Sequence, residues 1–369
     1  MTEWIECTLD KLGEIVGGAT PSTKCEDYYG GSIPWITPKD LSSFKGRYIT
    51  SGERNITEKG LASCSAQMMP KDAVLFTSRA PIGYVAIASQ SVCTNQGFKS
   101  IVVNEKADPL FVYYLLKYNK DAIEAMGSGT TFKEVSGKTM RAVKVRIPLD
   151  VSYQKRIAAV LDSLDTKIEN NERINDNLQQ QAQAIYSSMF IDNPDPAWSH
   201  GHLSDLITVK YGKDHKKLAD GIYPVYGSGG IMRYVERPLY NKESVLIPRK
   251  GTLNNVMYVN QPFWSVDTMF YTEMKLPNVA KFVYHFVKAK DLASMNAGSA
   301  VPSMTTDILN AMEVIIPSAS ALEEFESLVA PMYEAMEAND VQSKALSQMR
   351  DTLLPKLMSG EIDVSDIQL

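Results

Sequence analysis

The chain has 369 residues and a formal net charge of −5, with 44% hydrophobic and 22% charged residues. This composition is ordinary for a globular protein, and because no apolar run approaches the ~18 residues of a membrane span, a membrane protein is not expected. The polar first ten residues argue against a signal peptide. The cysteines, at positions 7, 25, 64 and 93, show no Cys-x-x-Cys spacing, which favours reduced thiols, no metal site and a cytoplasmic location.

The charge is distributed unevenly along the chain. Residues 1–150 and 194–317 each carry a net charge of +2, whereas residues 151–193 carry −2 and residues 318–369 carry −7. The acidic excess therefore lies outside the two larger segments. Those two segments are weakly basic, which allows a nucleic-acid partner of modest non-specific affinity.

The first segment has the pattern of a mixed α+β domain. Short β-rich runs at residues 73–76, 84–87, 99–103 and 143–147 are separated by Gly, Pro and Asn turn signals. One helix is predicted over residues 109–126, because Pro109 stands at its start and Gly127 just after its end.

A heptad pattern follows over residues 154–190. Apolar residues and two asparagines alternate at spacings of 4 and 3 from Ile157 to Met189. This pattern predicts a helix, about 50 Å long over the seam, that packs along its length on another helix. Pro194 and Pro196 then end the helix and begin a second globular segment.

A second copy of this seam lies 168 residues later, between Phe325 and Leu357. Asn171 corresponds to Asn339, so both seams are polar in the middle and apolar at the ends. A slipped register would bury an unpaired amide against leucine. We therefore predict that the two helices pair antiparallel, with Asn171 and Asn339 in one polar layer that fixes the register.

The globular segments repeat as well. Residues 73–83 correspond to 244–254 and residues 111–116 to 282–287, both at a shift of 171, while Trp4 corresponds to Trp198 at a shift of 194. The sequence thus predicts a globular domain at residues 1–150, a central spacer helix at 151–193, a second globular domain at 194–317 and a C-terminal spacer helix at 318–369. The predicted fold class is α+β: two tandem α/β domains separated by two long antiparallel helices in a pseudo-twofold internal repeat.

Catalytic motifs are missing. The run Ser136-Gly-Lys-Thr139 resembles the end of a phosphate-binding loop, but Phe132 stands where that loop needs a glycine. There is no Gly-x-Gly-x-x-Gly, and all four histidines lie in the second half, so the two domains could not share a His-dependent site. We therefore expect no catalytic residue, metal ligand or cofactor in this chain, and a function in recognition.

Six stretches, taken together and in tandem, resemble the specificity subunit of Type I restriction–modification systems. They are IPWITPKD at residues 33–40, residues 74–83, residues 94–98, residues 127–131, residues 147–169 and LLPKLMSGEID at residues 353–363. The resemblance covers nearly the whole chain. In place of the first stretch, the second half offers only IYPVYGSGG at residues 222–230.

The resemblance implies a non-catalytic subunit in which each globular domain is a target recognition domain for one half of a split, asymmetric site in double-stranded DNA. Residues 161–178 and 329–346 would form the spacer that sets a gap of about 6–8 bp between the half-sites. The helices would also dock two modification (methyltransferase) subunits, which restriction–translocation subunits join. S-adenosylmethionine, ATP and Mg are expected on those partner subunits.

Side chains that read bases must offer donors or acceptors from loops, with cations nearby for phosphates. In the first domain the candidates are Thr37, Lys39, Ser78, Arg79, Asn95, Gln96, Ser128, Thr130, Thr131 and Lys133. In the second domain they are Lys213, Lys216, Lys217, Tyr226, Ser228, Arg249, Lys250, Ser299 and Ser303. Arg79 and Arg249 are the leading candidates, because arginine is the commonest bidentate partner of guanine.

Two other functions fit the same pattern. The chain could be the specificity module for a single partner chain that carries both nuclease and methyltransferase, which co-purification would reveal. It could also be a coiled-coil protein scaffold that binds no DNA. Salt-sensitive, sequence-selective retention on duplex DNA, with the partner subunit present, separates the scaffold from a recognition subunit.

Overall fold

The computed structural model describes residues 3–129, 133–295 and 303–367, which fold as two compact units. The first unit comprises residues 1–172 and 340–369, and the second comprises residues 173–339. Each unit therefore combines one globular part with a portion of each long helix.

The first unit is a mixed α/β globule followed by a long helix. Its elements in chain order are β1 (Trp4–Thr8), β2 (Gly13–Gly17), β3 (Tyr29–Ile36), α1 (Pro38–Ser42), β4 (Tyr48–Ile49), β5 (Asn55–Ile56), α2 (Glu58–Ala62), β6 (Val74–Ser78), β7 (Ile82–Ala88), β8 (Cys93–Thr94), β9 (Lys99–Val103), α3 (Pro109–Tyr118), α4 (Lys120–Ala125), α5 (Gly137–Ala142), β10 (Lys144–Pro148) and α6 (Val151–Ser187). The main sheet has the order β2-β9-β6-β7-β4, a smaller sheet has the order β5-β3-β8, and β1 pairs with β10. The four predicted strands correspond to β6, β7, β9 and β10.

The prediction of one helix over residues 109–126 is wrong, because two helices, α3 and α4, occupy this stretch. The start was predicted well: Pro109 is the first helical residue, and the Asp108 carboxylate accepts a hydrogen bond from the Phe111 amide. The break falls at Asn119, whose side-chain amide donates to the Leu115 carbonyl at 2.8 Å. This side chain takes a backbone acceptor of the helix end, as asparagine often does.

The second unit has the same plan with fewer residues. Its elements are β11 (Ser199–His202), α7 (Leu203–Leu206), β12 (Ile207–Tyr211), β13 (Asp220–Gly227), β14 (Gly230–Val235), β15 (Ser244–Pro248), β16 (Met257–Val259), β17 (Trp264–Ser265), β18 (Met269–Met274), α8 (Ala280–Lys288), α9 (Thr306–Asn310), β19 (Glu313–Ile316) and α10 (Ala319–Ser359), with a π turn over Ser188–Asp192 after α6. The sheets have the orders β12-β18-β15-β16, β14-β13-β17 and β11-β19. Each sheet answers one in the first unit, which confirms the internal repeat.

The two long helices pair antiparallel within each unit. In the first unit, Asp165 of α6 binds Arg350 of α10 at 2.7 Å, and six residues later the Asn171 amide donates to the Ser343 hydroxyl at 3.1 Å. In the second unit, the Asn339 amide of α10 donates to Asn175 Oδ1 of α6 at 2.8 Å. Residue numbers fall on α10 as they rise on α6, so the predicted antiparallel arrangement is confirmed.

Each unit has its own hydrophobic core, to which the helices contribute. In the first unit Ile157 and Leu161 of α6 and Leu357 of α10 are buried with the globular residues. In the second unit Ala182 and Tyr186 of α6 and Phe325 of α10 are buried in the same way. Among the described residues, no helix is both long and apolar enough to cross a membrane.

Candidate nucleic-acid interface

Ser78 joins three segments at one end of the first unit's main sheet. Its backbone amide donates to the Gly97 carbonyl at 2.7 Å, and its own carbonyl accepts from the Val135 amide at 3.0 Å. Its hydroxyl also donates to Gly97 and is fully buried. The end of β6, the loop at residues 95–98 and the segment at residues 133–136 therefore meet here. As a side chain that reads bases, Ser78 is a wrong prediction for this geometry, because the hydroxyl is inside.

Glu134 holds two cations at this junction. One carboxylate oxygen lies 3.5 Å from Arg79 Nη1, and the other lies 3.5 Å from Lys99 Nζ. The Arg79 side chain keeps 34% of its surface exposed. A guanidinium has five N–H donors, so this single ion pair orients Arg79 and leaves donors for a ligand.

Glu134 also brings the glycine-rich loop to the same place. Its backbone exchanges two hydrogen bonds with Ser128, at 2.9 and 3.0 Å. Ser128 and Lys133 are exposed beside this bridge. Thr130 and Thr131 lie outside the described residues.

The loop at residues 95–98 presents Gln96. The Asn95 side-chain oxygen accepts from the Gly97 amide at 2.8 Å, so part of that predicted donor–acceptor group shapes the turn. Gln96 is exposed, and its side-chain oxygen accepts a hydrogen bond from the Thr20 hydroxyl. Sequence reasoning missed Thr20, which no motif marks.

Gly18 allows the chain near Thr20 to lie against this loop. A Cβ at Gly18 would stand 2.2 Å from the carbonyl oxygens of Thr94 and Asn95. In the second unit a Cβ at Gly212 would stand 2.0 Å from the Val266 carbonyl oxygen. The shift of 194 that relates Trp4 to Trp198 also relates Gly18 to Gly212, so the repeat carried a signal for this close approach.

Helix α1 flanks the same loop. Thr37 and Asp40 form a capping box, in which the Thr37 hydroxyl donates to the Asp40 carboxylate at 2.7 Å, so that hydroxyl is engaged within the protein. Lys39 is exposed and binds Glu53 at 2.6 Å, and this hydrogen bond raises the pKa of Lys39. At its first residue, α1 packs close to Gly97, since a Cβ there would lie 2.7 Å from Pro38 Cγ.

Arg249 takes the place of Ser78 in the second unit. Its amide donates to the Thr268 carbonyl and its carbonyl accepts from the Met304 amide, both at 2.9 Å, as the Ser78 backbone does with Gly97 and Val135. The Arg249 guanidinium lies 5.3 Å from the centroid of the Tyr211 ring and bonds the Asp267 carbonyl at 3.4 Å. It is half-buried, so an arginine reaches the surface where the first unit has a buried hydroxyl. Tyr211 was missed by sequence reasoning.

Two further candidates follow Arg249. Lys250, at the position of Arg79, is exposed and its backbone bridges that of Ser303, which answers Glu134. Ser299 lies outside the described residues. Tyr226 is 8% exposed and its hydroxyl accepts from Gln261 at 3.3 Å, so it belongs to the loop's support. The neighbouring Ser228 offers its carbonyl to Asn255 Nδ2 at 2.8 Å.

The predicted lysine patch lies on the same end. Lys213 donates its amide to the Ser265 carbonyl at 2.8 Å, as Ala19 does to Thr94 in the first unit. The side chains of Lys213, Lys216 and Lys217 are all exposed. They stand free of acidic neighbours closer than an ion pair among the described salt bridges, which suits contact with phosphates.

One indole anchors each loop from a different strand. Trp35 of β3 donates from Nε1 to the Ala19 carbonyl at 3.0 Å. Trp264 of β17 donates from Nε1 to the Lys213 carbonyl at 2.9 Å. Ala19 and Lys213 are equivalent positions, but β3 corresponds to β13, and β17 corresponds to β8. The bond is therefore kept while the aromatic residue has moved to the neighbouring parallel strand.

Polar groups also join each globular part to its long helix. Asn171 donates to Gln342 at 2.9 Å as well as to Ser343, and Asn339 bonds Asn175, so each of the two predicted register asparagines bonds across the helix pair. Whether these bonds fix the register is a prediction that a variant must test. In the second unit His285 stacks on Tyr186, and its burial lowers its pKa to about 4. His285 is thus neutral at pH 7, with Nδ1 bonded to Gln183 and Nε2 to Tyr333.

The described residues hold no group of three or more His, Cys, Asp and Glu side chains that could bind a metal ion. What the two clusters offer is exposed donors and cations on loops held by backbone hydrogen bonds. This arrangement suits the recognition of base edges and phosphates.

Comparison with known proteins agrees with this architecture. Residues 1–180 and 197–325 match the family model described as Type I restriction modification DNA specificity domain. The Type I restriction enzyme MjaIX specificity subunit of Methanocaldococcus jannaschii is 32% identical, with 99% of this chain and 95% of the relative covered. The Type I restriction enzyme EcoprrI specificity subunit of Escherichia coli is 23% identical, with 90% and 89% covered.

The fold is also similar to that of a solved structure. The crystal structure of the Type-I restriction-modification system S subunit from M. genitalium covers 96% of both chains with a TM-score of 0.63 at 19% identity. Two matched segments, a full-length relative above 30% identity and a common fold lead to one conclusion. The chain belongs to the Type I restriction modification DNA specificity family and is a Type I restriction enzyme specificity subunit.

Proposed function

We propose that this subunit reads a split, asymmetric site in double-stranded DNA, with one half-site contacted by each unit's loop cluster. The observation that carries the proposal is a shared backbone frame with different side chains on it. Equivalent hydrogen bonds hold Ser78 and Arg249, yet one side chain is a buried hydroxyl and the other a surface guanidinium. The same frame with different donors would recognise different bases, so the two half-sites should differ in sequence.

The chain would act without chemistry of its own. Modification subunits, two of them, would dock on the helical regions, and restriction–translocation subunits would join that complex in the cytoplasm. S-adenosylmethionine, ATP and Mg would bind to those partners. The full-length similarity to Type I specificity subunits supports these assignments.

The long helices would set the gap between half-sites. Support comes from the helix pair itself: α6 and α10 are antiparallel, and their polar middle is bonded across the pair. A bonded polar layer opposes slippage, because each displaced amide would lose its partner. We propose a gap of about 6–8 bp, which keeps both half-sites on one face of the duplex.

Methylome sequencing tests the proposal directly. DNA from cells with and without the gene, in the presence of the modification subunit, should differ by one methylated motif with two unlike halves and a fixed gap. A palindromic motif would contradict two different recognition surfaces. Equal methylomes would contradict the proposed function as a whole.

A further inference from the structure

The β13–β14 hairpin of the second unit exposes an unusual set of large apolar side chains. Ile222 is 78% exposed, Ile231 50% and Met232 60%, and Tyr234 on the same strand is 39% exposed. Single exposed apolar residues are normal, but four on one short hairpin mark a contact surface. Strand β14 is also the edge of its sheet.

Met232 lies at the border of the candidate nucleic-acid interface. A Cβ at Gly227 would stand 2.5 Å from the Met232 sulfur and 3.8 Å from Val266 Cγ2, so the thioether packs over the glycine beside Val266. Val266 directly precedes Asp267, whose carbonyl bonds Arg249. The apolar hairpin and the leading arginine are therefore neighbours on one loop.

The surroundings of the hairpin are basic. Arg233 of β14 donates to the Leu218 carbonyl at 3.0 Å, which places the end of the 213–218 loop against this strand. That loop carries the exposed Lys213, Lys216 and Lys217. Several exposed cations around an apolar strand favour a polyanion that also has apolar groups, as duplex DNA does.

The first unit has a polar element at the equivalent place. The parallel register pairs Ile36 with Thr94 and Tyr226 with Ser265, so Gly227 corresponds to Thr37. There, α1 follows with its capping box and the exposed Lys39. The loop is thus flanked by a polar helix in one unit and by an apolar strand in the other.

We propose that Met232, together with Ile231, contacts the C5-methyl group of a thymine in the half-site that the second unit reads. The thymine methyl is the one apolar group on the major-groove edge of the base pairs, and β-ribbons are among the elements that enter this groove. This inference rests on the proposed function and adds a specificity-determining residue to it.

The first test is the methylome of cells carrying the intact complex with Met232→Gln, which keeps the length of the side chain and removes its apolar end. The expected motif accepts other bases at one A·T pair of one half-site and is unchanged in the other half. Leu276→Ala is the matched control, because Leu276 is an exposed apolar residue of the same unit at the far end of β18. It should leave the motif unchanged.

The second test isolates the methyl group. The purified complex methylates duplexes that carry the established motif, with each thymine of that half-site replaced in turn by deoxyuridine. One replacement should slow the wild-type complex about three- to tenfold, in line with the loss of one buried methyl, and should slow the Met232→Gln complex less than twofold.

Three results would overturn the inference while leaving the proposed function in place. They are a half-site without thymine, equal deoxyuridine effects in both complexes, and a Met232→Gln methylome identical to the wild type. Loss of the modification subunit from the Met232→Gln complex would also overturn it, because the hairpin would then be a protein-docking edge. Failure of the wild-type chain to direct any split motif would instead refute the proposed function.

Discussion

The hydroxyl of Tyr114 donates a hydrogen bond to Asp165 Oδ2 at 2.8 Å, and this bond joins the globular part of the first unit to the helix α6. Asp165 is 6% exposed and also binds Arg350 of α10. In the second unit His285 and Tyr333 meet at 3.0 Å at the equivalent positions. Both recognition units are therefore tied to the helices through one polar contact of the same place and different chemistry.

Asp165→Asn should destabilise the first unit by about 3 kcal/mol, because it leaves the Arg350 guanidinium without its buried counter-charge. Urea dependence of hydrogen exchange in α3 and α6 measures this change. Glu6→Gln is the control, since Glu6 and Lys144 form an ion pair at 3.2 Å with 66% and 75% of their side chains exposed. It should change stability by less than ~0.5 kcal/mol. Equal effects of the two variants would contradict a role for Asp165 in holding the unit together.

The second unit should lose stability as the pH falls below about 6.5. The folded pKa of His285 is about 4, lower than its value in an unfolded chain, so the unfolded state binds the proton more tightly. The stability that depends on neutral His285 is therefore complete above pH ~6.5 and is lost progressively toward pH 4, with a total on the order of 3 kcal/mol. Unfolding of the second unit between pH 7 and 5 measures it. His285→Gln should flatten this pH dependence, and a profile as steep as the wild type would refute the assignment.

Arg249→Ala should relax specificity in one half-site, and Arg79→Ala in the other. Each arginine belongs to one loop cluster, and loss of a bidentate contact with guanine costs about 1–3 kcal/mol of discrimination. Methylome sequencing of the two variants shows which motif positions become degenerate. If either variant lowers modification equally at all positions of both halves, that arginine contacts only phosphate or supports the fold.

A heptad inserted into both long helices should lengthen the gap in the motif. Seven residues placed after residue 172 in α6 and after residue 339 in α10 add about 10 Å of helix, which equals about 3 bp of duplex. Both insertions keep the heptad phase, so the helix pair can still form. An unchanged gap would show that the helices do not set the spacing, whereas a heptad in only one helix should abolish modification.

Gly18→Ala should disrupt the first unit's interface, because the new Cβ would stand 2.2 Å from two carbonyl oxygens. Overpacking of this kind costs about 1–3 kcal/mol and would move the loop that carries Gln96. Gly17→Ala is the matched control, since a Cβ at Gly17 meets nothing within 4 Å. Hydrogen exchange of residues 94–98 should increase in the first variant and stay at the wild-type rate in the second.

The helices, the repeat and the fold class could be predicted from the sequence, because heptad spacing and tandem similarity are local patterns. The break at Asn119 could not, since an asparagine can stay within a helix or cap it, and the tertiary packing decides. Burial of Ser78 and Tyr226 was also beyond the sequence, because it depends on which loops converge. The exposed Lys39, Arg79, Gln96, Lys213 and Lys250 lie where the prediction of a loop surface requires, and their contact with DNA is still a prediction.

The two indoles that anchor equivalent carbonyls from different strands have a consequence for transferring knowledge between homologous domains. Matching by residue type would pair Trp35 with no tryptophan, and it would pair Arg79 with Arg249 although Arg249 holds the backbone position of Ser78. Correspondence in this fold is defined by which amide meets which carbonyl. A graft of specificity from one half to the other should therefore exchange whole loops at those backbone junctions, since single substitutions chosen by amino-acid identity would land one residue away from their target.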